Sequence, residues 1–172
     1  MCCKMNIELL KKKFRHLNIT AGLLLLLLFA VVPSCKEVVL YSRITNIEGG
    51  RWQANKPVVF ELDIPLAGQA YYIVVTIRHT HLYAYRNLWV RLGLQPPGAD
   101  TLNYSDFDLQ LANNEQWLGV GMNDTYERRL RLFQKPVTFA QAGKVRFSVA
   151  HIMRSNPLEG VLQVGLALEP AR

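Results

Sequence analysis

Cysteine is scarce. The 172-residue chain holds three, and two of them, Cys2 and Cys3, sit at its very start. Cys35 is then the only one after position 34, which excludes an internal disulfide and a cysteine cage for zinc. A domain built downstream must be held by its core alone. Long apolar runs are missing as well: the twelve residues from Ala21 to Val32 fall short of the roughly 18 that a membrane-spanning helix takes, and Pro33 ends them. No segment keeps a 3.6-residue hydrophobic period, which excludes a helical bundle. Neither an internal repeat nor a low-complexity stretch follows Cys35. No serine among Ser42, Ser105, Ser148 and Ser155 stands in a G-x-S-x-G setting, so a hydrolase nucleophile has no candidate. The net charge of +7 is unevenly placed. Lys4, Lys11, Lys12, Lys13 and Arg15 face only Glu8 before position 35, and the remainder carries fifteen basic against twelve acidic residues. That near balance, densest at Arg128, Arg129 and Arg131, gives a phosphate-tracking groove no support, and no nucleic-acid partner is expected.

A basic start, a twelve-residue apolar run and the small residue Ser34 make the three-part layout of a secretory signal peptide over residues 1–34. Val32-Pro33-Ser34-Cys35 resembles a bacterial lipobox, in which the cysteine thiol receives a diacylglycerol and becomes the new N-terminus. Cys35 is therefore the expected lipidation site, and a plain secreted chain with an incidental cysteine is the competing reading. Residues 35–50 read as lipidated N-terminus, tether and first strand, with Val38-Val39-Leu40-Tyr41 apolar and Gly49-Gly50 as a turn. Residues 51–172 read as one domain, of a size that buries roughly two thirds of its unfolded surface.

Alternation dominates that domain. Val58, Phe60, Leu62 and Ile64 share one side of a strand whose other side holds Glu61 and Asp63, the pattern of a half-buried strand. The same reading applies to Tyr71, Ile73, Val75 and Ile77, to Leu88, Val90, Leu92 and Leu94, and to Phe107, Leu109 and Leu111. It applies again to Val145, Phe147 and Val149, and to Leu162, Val164, Leu166 and Leu168. Six strands punctuated by Gly/Pro turns predict an all-β, single antiparallel β-sandwich of jelly-roll type. Residues 112–143 are less regular. Trp117 to Gly121 is turn-like, and for the rest a helical turn over Tyr126 to Arg131 and a short strand over Leu130 to Leu132 are both left open.

Chemistry-bearing residues are few. His79 and His81 have the spacing of two ligands on one strand face, with His151 elsewhere. A metal site needs a third and usually a fourth ligand, so these read as loop histidines, and no metal or cofactor is expected. Asp106 and Asp108 fall on the polar side of an alternating strand, as solvent-facing charges do. Gly119-Val120-Gly121 lacks the strand, helix and third glycine of a dinucleotide fingerprint. From Arg78 to Trp89 the chain reads RHTHLYAYRNLW, dense in the aromatic and Arg residues that anchor binding surfaces. The competing reading is that some of these rings cap the core.

In their order along the chain these residues resemble one family, the gliding-motility lipoproteins called GldH, found in the Bacteroidota. The resemblance runs from the lipobox through Gly50-Arg51-Trp52, Pro57 to Glu61, and Arg78 with Tyr83, Tyr85, Asn87, Leu88 and Trp89. It continues through Asp100-Thr101, Trp117-Leu118-Gly119 with Gly121, Asp124 with Tyr126, Phe139 with Gly143, Met153-Arg154, Pro157-Leu158 with Gly160, and Val164-Gly165-Leu166. Val120 and Asn156 depart from it, standing where a polar residue and Asp are expected, so those positions do not read as a charge site. The resemblance implies an accessory lipoprotein of the gliding apparatus and its coupled type IX secretion system, with no catalytic activity and no cofactor. Its partners would be other envelope proteins, and its place the cell envelope, lipid-anchored at the periplasmic face of the outer membrane.

Because strand rows are committed to the core, specificity is expected in the connections: Arg78, Tyr83, Tyr85, Arg86 and Asn87 in one, Trp117, Asp124 and Tyr126 in another, with Arg154. Trp117 is open to a core role, whereas Tyr83 and Tyr85 carry hydroxyls that need partners if buried. The alternative is a carbohydrate-binding sandwich using Trp52, Tyr83, Tyr85 and Trp89. Asp100-Thr101-Leu102 resembles an Asp-Thr-apolar acceptor for O-linked glycans, which makes Thr101 a candidate modification site. One outcome is expected from the leader alone: Cys35→Ala abolishes metabolic lipid labelling and lipobox processing, and a mutant labelled like the wild type would remove the lipobox reading.

Overall fold

The period-two rows persist into three dimensions almost residue for residue. A computed structural model describes residues 41–171, and Cys35 with its leader and tether lies outside them. Twelve strands follow in order: β1 (Tyr41–Asn46), β2 (Arg51–Trp52), β3 (Val58–Ile64), β4 (Ala70–Thr80), β5 (Asn87–Gln95), β6 (Asn103–Gln110), β7 (Val120–Met122), β8 (Thr125–Arg131), β9 (Val137–Thr138), β10 (Gly143–His151), β11 (Leu158–Glu159) and β12 (Val161–Pro170). One sheet has the order β1-β12-β4-β8-β7, with β9 pairing the start of β4. The other has the order β3-β10-β5-β6, and β2 and β11 form a small ribbon. Every pairing is antiparallel. The chain crosses between the two sheets at β3 to β4, β4 to β5, β6 to β7 and β9 to β10, and through the ribbon strands from β1 to β3 and from β10 to β12, which makes a jelly-roll-like sandwich.

The rows meet in one hydrophobic cluster. From the first sheet come Tyr71, Ile73, Val75, Ile77, Val164, Leu166 and Leu168; from the second, Phe60, Leu62, Leu88, Val90, Leu92, Val145, Phe147 and Val149. Phe147 stands opposite Phe60 on one side and Leu94 on the other, and its side chain is fully enclosed.

β4 departs from simple alternation, because Val74 and Thr76 are buried although they point out of the sandwich. The cause is a lattice of long charged side chains over them. Arg78 pairs with Glu127 at 2.8 Å and Arg129 with Glu169 at 2.9 Å, and the Arg131 guanidinium lies 4.2 Å above the Tyr72 ring. Arginine stems cover apolar surface while their heads stay wet. As half-exposed pairs they add little stability themselves.

Between residues 112 and 143 the structure decides between the helical turn and the strand that the sequence left open over Tyr126 to Leu132. Tyr126 to Arg131 belong to β8, paired along β4 from Thr80 to Val74. Asn123 and Asp124 both take positive φ, 48° and 60°, and form the two-residue hairpin turn that joins β7 to β8. Such turns need left-handed backbone, which short polar side chains tolerate. With the turn placed there, Tyr126, Arg128 and Leu130 fall on one face and Glu127, Arg129 and Arg131 on the other.

Removing the Phe147 ring should destabilise the fold by about 3–5 kcal/mol, whereas Val59→Ala, on the solvent side of β3, should change it by about 0.5 kcal/mol. Urea unfolding of both variants checks this, and equal losses would contradict the assigned core.

Candidate functional site

The two ends of the sandwich differ in chemistry. At one end, His79 on β4 faces inward and three rings close around it: Trp117 at 4.5 Å, Tyr83 at 5.5 Å and Tyr126 at 5.6 Å between centroids. Tyr85 extends the group, 5.8 Å from Tyr83. The connection from Arg78 to Asn87 and that from Trp117 to Tyr126 therefore converge, as neither strand pattern revealed. The His81 amide also donates to the Asp124 carbonyl, joining the two turns at 3.2 Å. The loop after β10 completes this end, with the Tyr85 hydroxyl bonded to Ser155 Oγ beside exposed Arg154.

Glycine makes this closeness possible at two points. A Cβ on Gly160 would stand 2.6 Å from the Tyr83 amide nitrogen, and one on Gly119 would stand 2.1 Å from the Glu127 carbonyl oxygen. Both glycines have positive φ, so a side chain is disfavoured there twice over.

Burial sorts the expected anchors. Tyr83 is almost fully enclosed, which corrects its assignment to a partner surface: its hydroxyl donates to the Asn87 carbonyl at 2.8 Å, the partner a buried phenol needs. Burial first, then the nearby Tyr85 and Asp108, push the Tyr83 phenol well above its usual range. Trp117 and Tyr126 are half-buried in the cluster, and Arg78 is engaged by Glu127. Asn87 donates to Asp108 at 2.6 Å. Exposed at this end are Tyr85, Arg86, Asp124 and Arg154, with Arg86 donating to Asn114 Oδ1 at 2.7 Å. The sequence reading missed Leu82, Val120 and Met122, which are 67%, 77% and 76% exposed. The signal for the last two was present in Asn123-Asp124, a hairpin turn that leaves β7 as a sheet edge.

His79 and His151 are not loop histidines. Each continues the inward row of its strand and is buried. His79 Nδ1 donates to the Thr80 carbonyl and His151 Nε2 to the Trp52 carbonyl, both at 3.0 Å, while the other ring nitrogen of each is buried without a partner. Trp52 packs edge-on against His151 at 5.3 Å and is itself enclosed, so it offers no face to a sugar. His81 is exposed in the turn. Among the described residues no group of three or more His, Cys, Asp or Glu is placed to hold a metal. Asp106 forms a two-point pair with Arg91 at 2.7 and 2.8 Å on the outer face of the second sheet, and that guanidinium holds its carboxyl below the usual range. A cavity of about 540 Å³ opens beside β1 and β3, lined by residues that include Asn46, Arg51, Trp52, Lys56 and Pro157. Asn156 Oδ1 accepts from the Ala54 amide at 3.0 Å near its rim. Thr101 is exposed in the loop between β5 and β6, at the opposite end of the sandwich.

A family model described as GldH lipoprotein matches residues 39–168. The chain belongs to the GldH lipoprotein family. It is 32% identical over 147 residues to the gliding motility lipoprotein GldH homolog of Christiangramia forsetii, covering 79% of this chain and 86% of that protein. To gliding motility lipoprotein GldH of Flavobacterium johnsoniae it is 26% identical over 158 residues, covering 85% and 94%. Among solved structures, a carbohydrate-binding module specific for non-crystalline cellulose aligns with a TM-score of 0.42 at 9% identity, over 75% of this chain and 73% of that one. The mosquito-larvicidal Cry4Aa toxin of Bacillus thuringiensis also aligns at 0.42, with 12% identity over 76% of this chain and 21% of the toxin. Scores this low carry nothing about function. Within the GldH family, the converging rings around His79 are the feature that this structure adds to the sequence.

Both buried histidines have their proton affinity lowered, burial outweighing the bond to a backbone carbonyl. Below about pH 6.5 the unfolded chain binds protons that the folded chain excludes, so stability is full above that pH and falls as pH drops toward the lowered folded value. Each histidine adds at most about 1.4 kcal/mol per pH unit in that window. Urea unfolding from pH 7.5 to 5.5, at about one-unit steps, should show the decline, shallower in His79→Phe. A pH-independent stability there would remove the buried neutral assignment.

Proposed function

We propose that this protein is a lipid-anchored, non-catalytic docking module of the gliding apparatus and its coupled type IX secretion system. It binds other envelope proteins through the His79 end of the sandwich. The observation that carries the reading is the contrast within that end: rings of Trp117 and Tyr126 packed on buried His79 and Tyr83 fix the turns, and Leu82, Val120 and Met122 on the same turns are exposed. Exposed apolar side chains on neighbouring turns suit an interaction surface, and these two turns are joined by the His81 amide and the Asp124 carbonyl. Tyr85, Arg86, Asp124 and Arg154 supply the polar rim, and rigid turns cost little entropy to dock. The family resemblance supports the apparatus, and Cys35 the anchor, at the periplasmic face of the outer membrane.

A second reading has its own observation. On the outer face of the second sheet, Tyr104 is 60% exposed and Trp89 is 43% exposed, flanking the Arg91–Asp106 pair. The Tyr104 ring lies so close over Gly93 that a Cβ there would sit 2.8 Å from it. A ring held flat on a sheet, with polar groups beside it, suits stacking on a sugar. Of the rings first considered for this role, Trp89 and Tyr85 remain accessible.

The tests separate the two. Leu82→Asp, Met122→Asp and Tyr85→Ala should each weaken recovery of crosslinked envelope partners from intact membranes by about 2 kcal/mol, roughly 30-fold, with thermal midpoints little changed. Full recovery in all three, together with glycan-array binding that Trp89→Ala abolishes, would replace docking with the sugar reading.

A further inference from the structure

The polarity of β1 sets how the domain stands on a membrane. Tyr41, its first residue, pairs with Leu168, which pairs in turn with Ile73 near the start of β4. The strand then runs toward the His79 end, where Asn46 pairs with Gln163 and Gln163 with Arg78. Six Cα steps separate Cys35 from Tyr41, and at full extension they span about 20 Å. From the level of Ile73 to Thr80 the sandwich extends roughly 23 Å at 3.3 Å per residue, and the turn from His81 to Arg86 projects beyond. A chain tethered at Cys35 is too short to turn the domain over so that this end alone faces the bilayer.

The other end is where β1 begins, and its loops suit a lipid surface. Pro65 to Gln69 carries no charge, and Leu66 within it is 63% exposed. The link from Leu132 to Ala142 bears a single charge, Lys135, which is exposed. The two lie together, the Gly68 amide donating to the Phe139 carbonyl at 2.9 Å. An exposed leucine in one link and a lysine with no acidic residue in either link fit the acyl and headgroup boundary of a bilayer with anionic lipid.

We infer that the domain stands on the membrane through residues 65–69 and 132–142, with Leu66 in contact with lipid, and holds the His79 end away from it. This rests on lipidation of Cys35, as proposed above. It places the docking turns where a partner reaches them, and Thr101 on the membrane side, because Gly98 of the same loop abuts Gln141.

Hydroxyl-radical footprinting of the full-length lipoprotein, processed and reconstituted in vesicles of phosphatidylethanolamine and phosphatidylglycerol, tests it. Labelling of 65–69 and 132–142 should fall several-fold relative to the same protein with a Gly/Ser insertion of about 20 residues after Lys36, which lengthens the tether by roughly 25 Å. Labelling of 81–86 and 119–124 should be equal in the two. Protection of 81–86, protection along β1 and β3 instead of the end loops, or no difference between the proteins would overturn the orientation alone. An intact mass without acyl chains on Cys35 would overturn both the orientation and the anchor.

Discussion

Without a disulfide to close it, this domain depends on the packing of two apolar sheet faces, β4 and β12 against β10 and β5. Those four strands carry most of the fully enclosed side chains. Their rows are long and β-branched, so each residue that joins the core also fixes the register of its neighbours, because a one-residue slip would turn every row outward. Everything else is attached to this pair of faces. The edge strands β1, β3, β6 and β7 are exposed on one side, and the connections project from the two ends.

The ends are closed differently, and the difference has a physical origin. Where β4 leads into β5, the inward row runs out before the sandwich is sealed, and rings from three separate segments fill the gap around His79. A histidine suits that position because it is flat like its neighbours and needs only one carbonyl to satisfy one nitrogen. Its cost is the second nitrogen, buried without a partner, which ties the integrity of this end to its neutral form. At the other end Phe139 packs beside Tyr71, and the loops above them are short of charge. One end is thus rigid and varied in chemistry, the other plain. The docking proposed at the first and the membrane contact inferred at the second follow the same division.

The outer faces show a related economy. On the first sheet, arginines from β8 reach across to Glu169 and over Tyr72, shielding small apolar residues beneath. On the second, the Arg91–Asp106 pair and the Tyr104 ring over Gly93 leave a flatter and more accessible surface. Such pairs contribute little to stability; they decide instead which faces are available to other molecules.

Much of this was legible in the chain. Alternation alone located the row of each main strand, since a half-buried strand must repeat every two residues whatever its partners are. The ordered family residues likewise need no fold to be read. What tertiary structure decided is everything that depends on residues far apart in the chain. β8 was obscured because its polar face is as charged as a helix surface and its defining turn, Asn123-Asp124, lacks the usual glycine. Tyr83 looked exposed because the carbonyl that satisfies its hydroxyl, at Asn87, is brought to it only by the bend of the connection. Trp52 looked available until β10 laid His151 against it. The meeting of Arg78–Asn87 with Trp117–Tyr126, and the direction in which β1 runs along the sandwich, have no local signature at all. Pairing between strands distant in sequence creates them, and the composition of a single strand does not encode its neighbour.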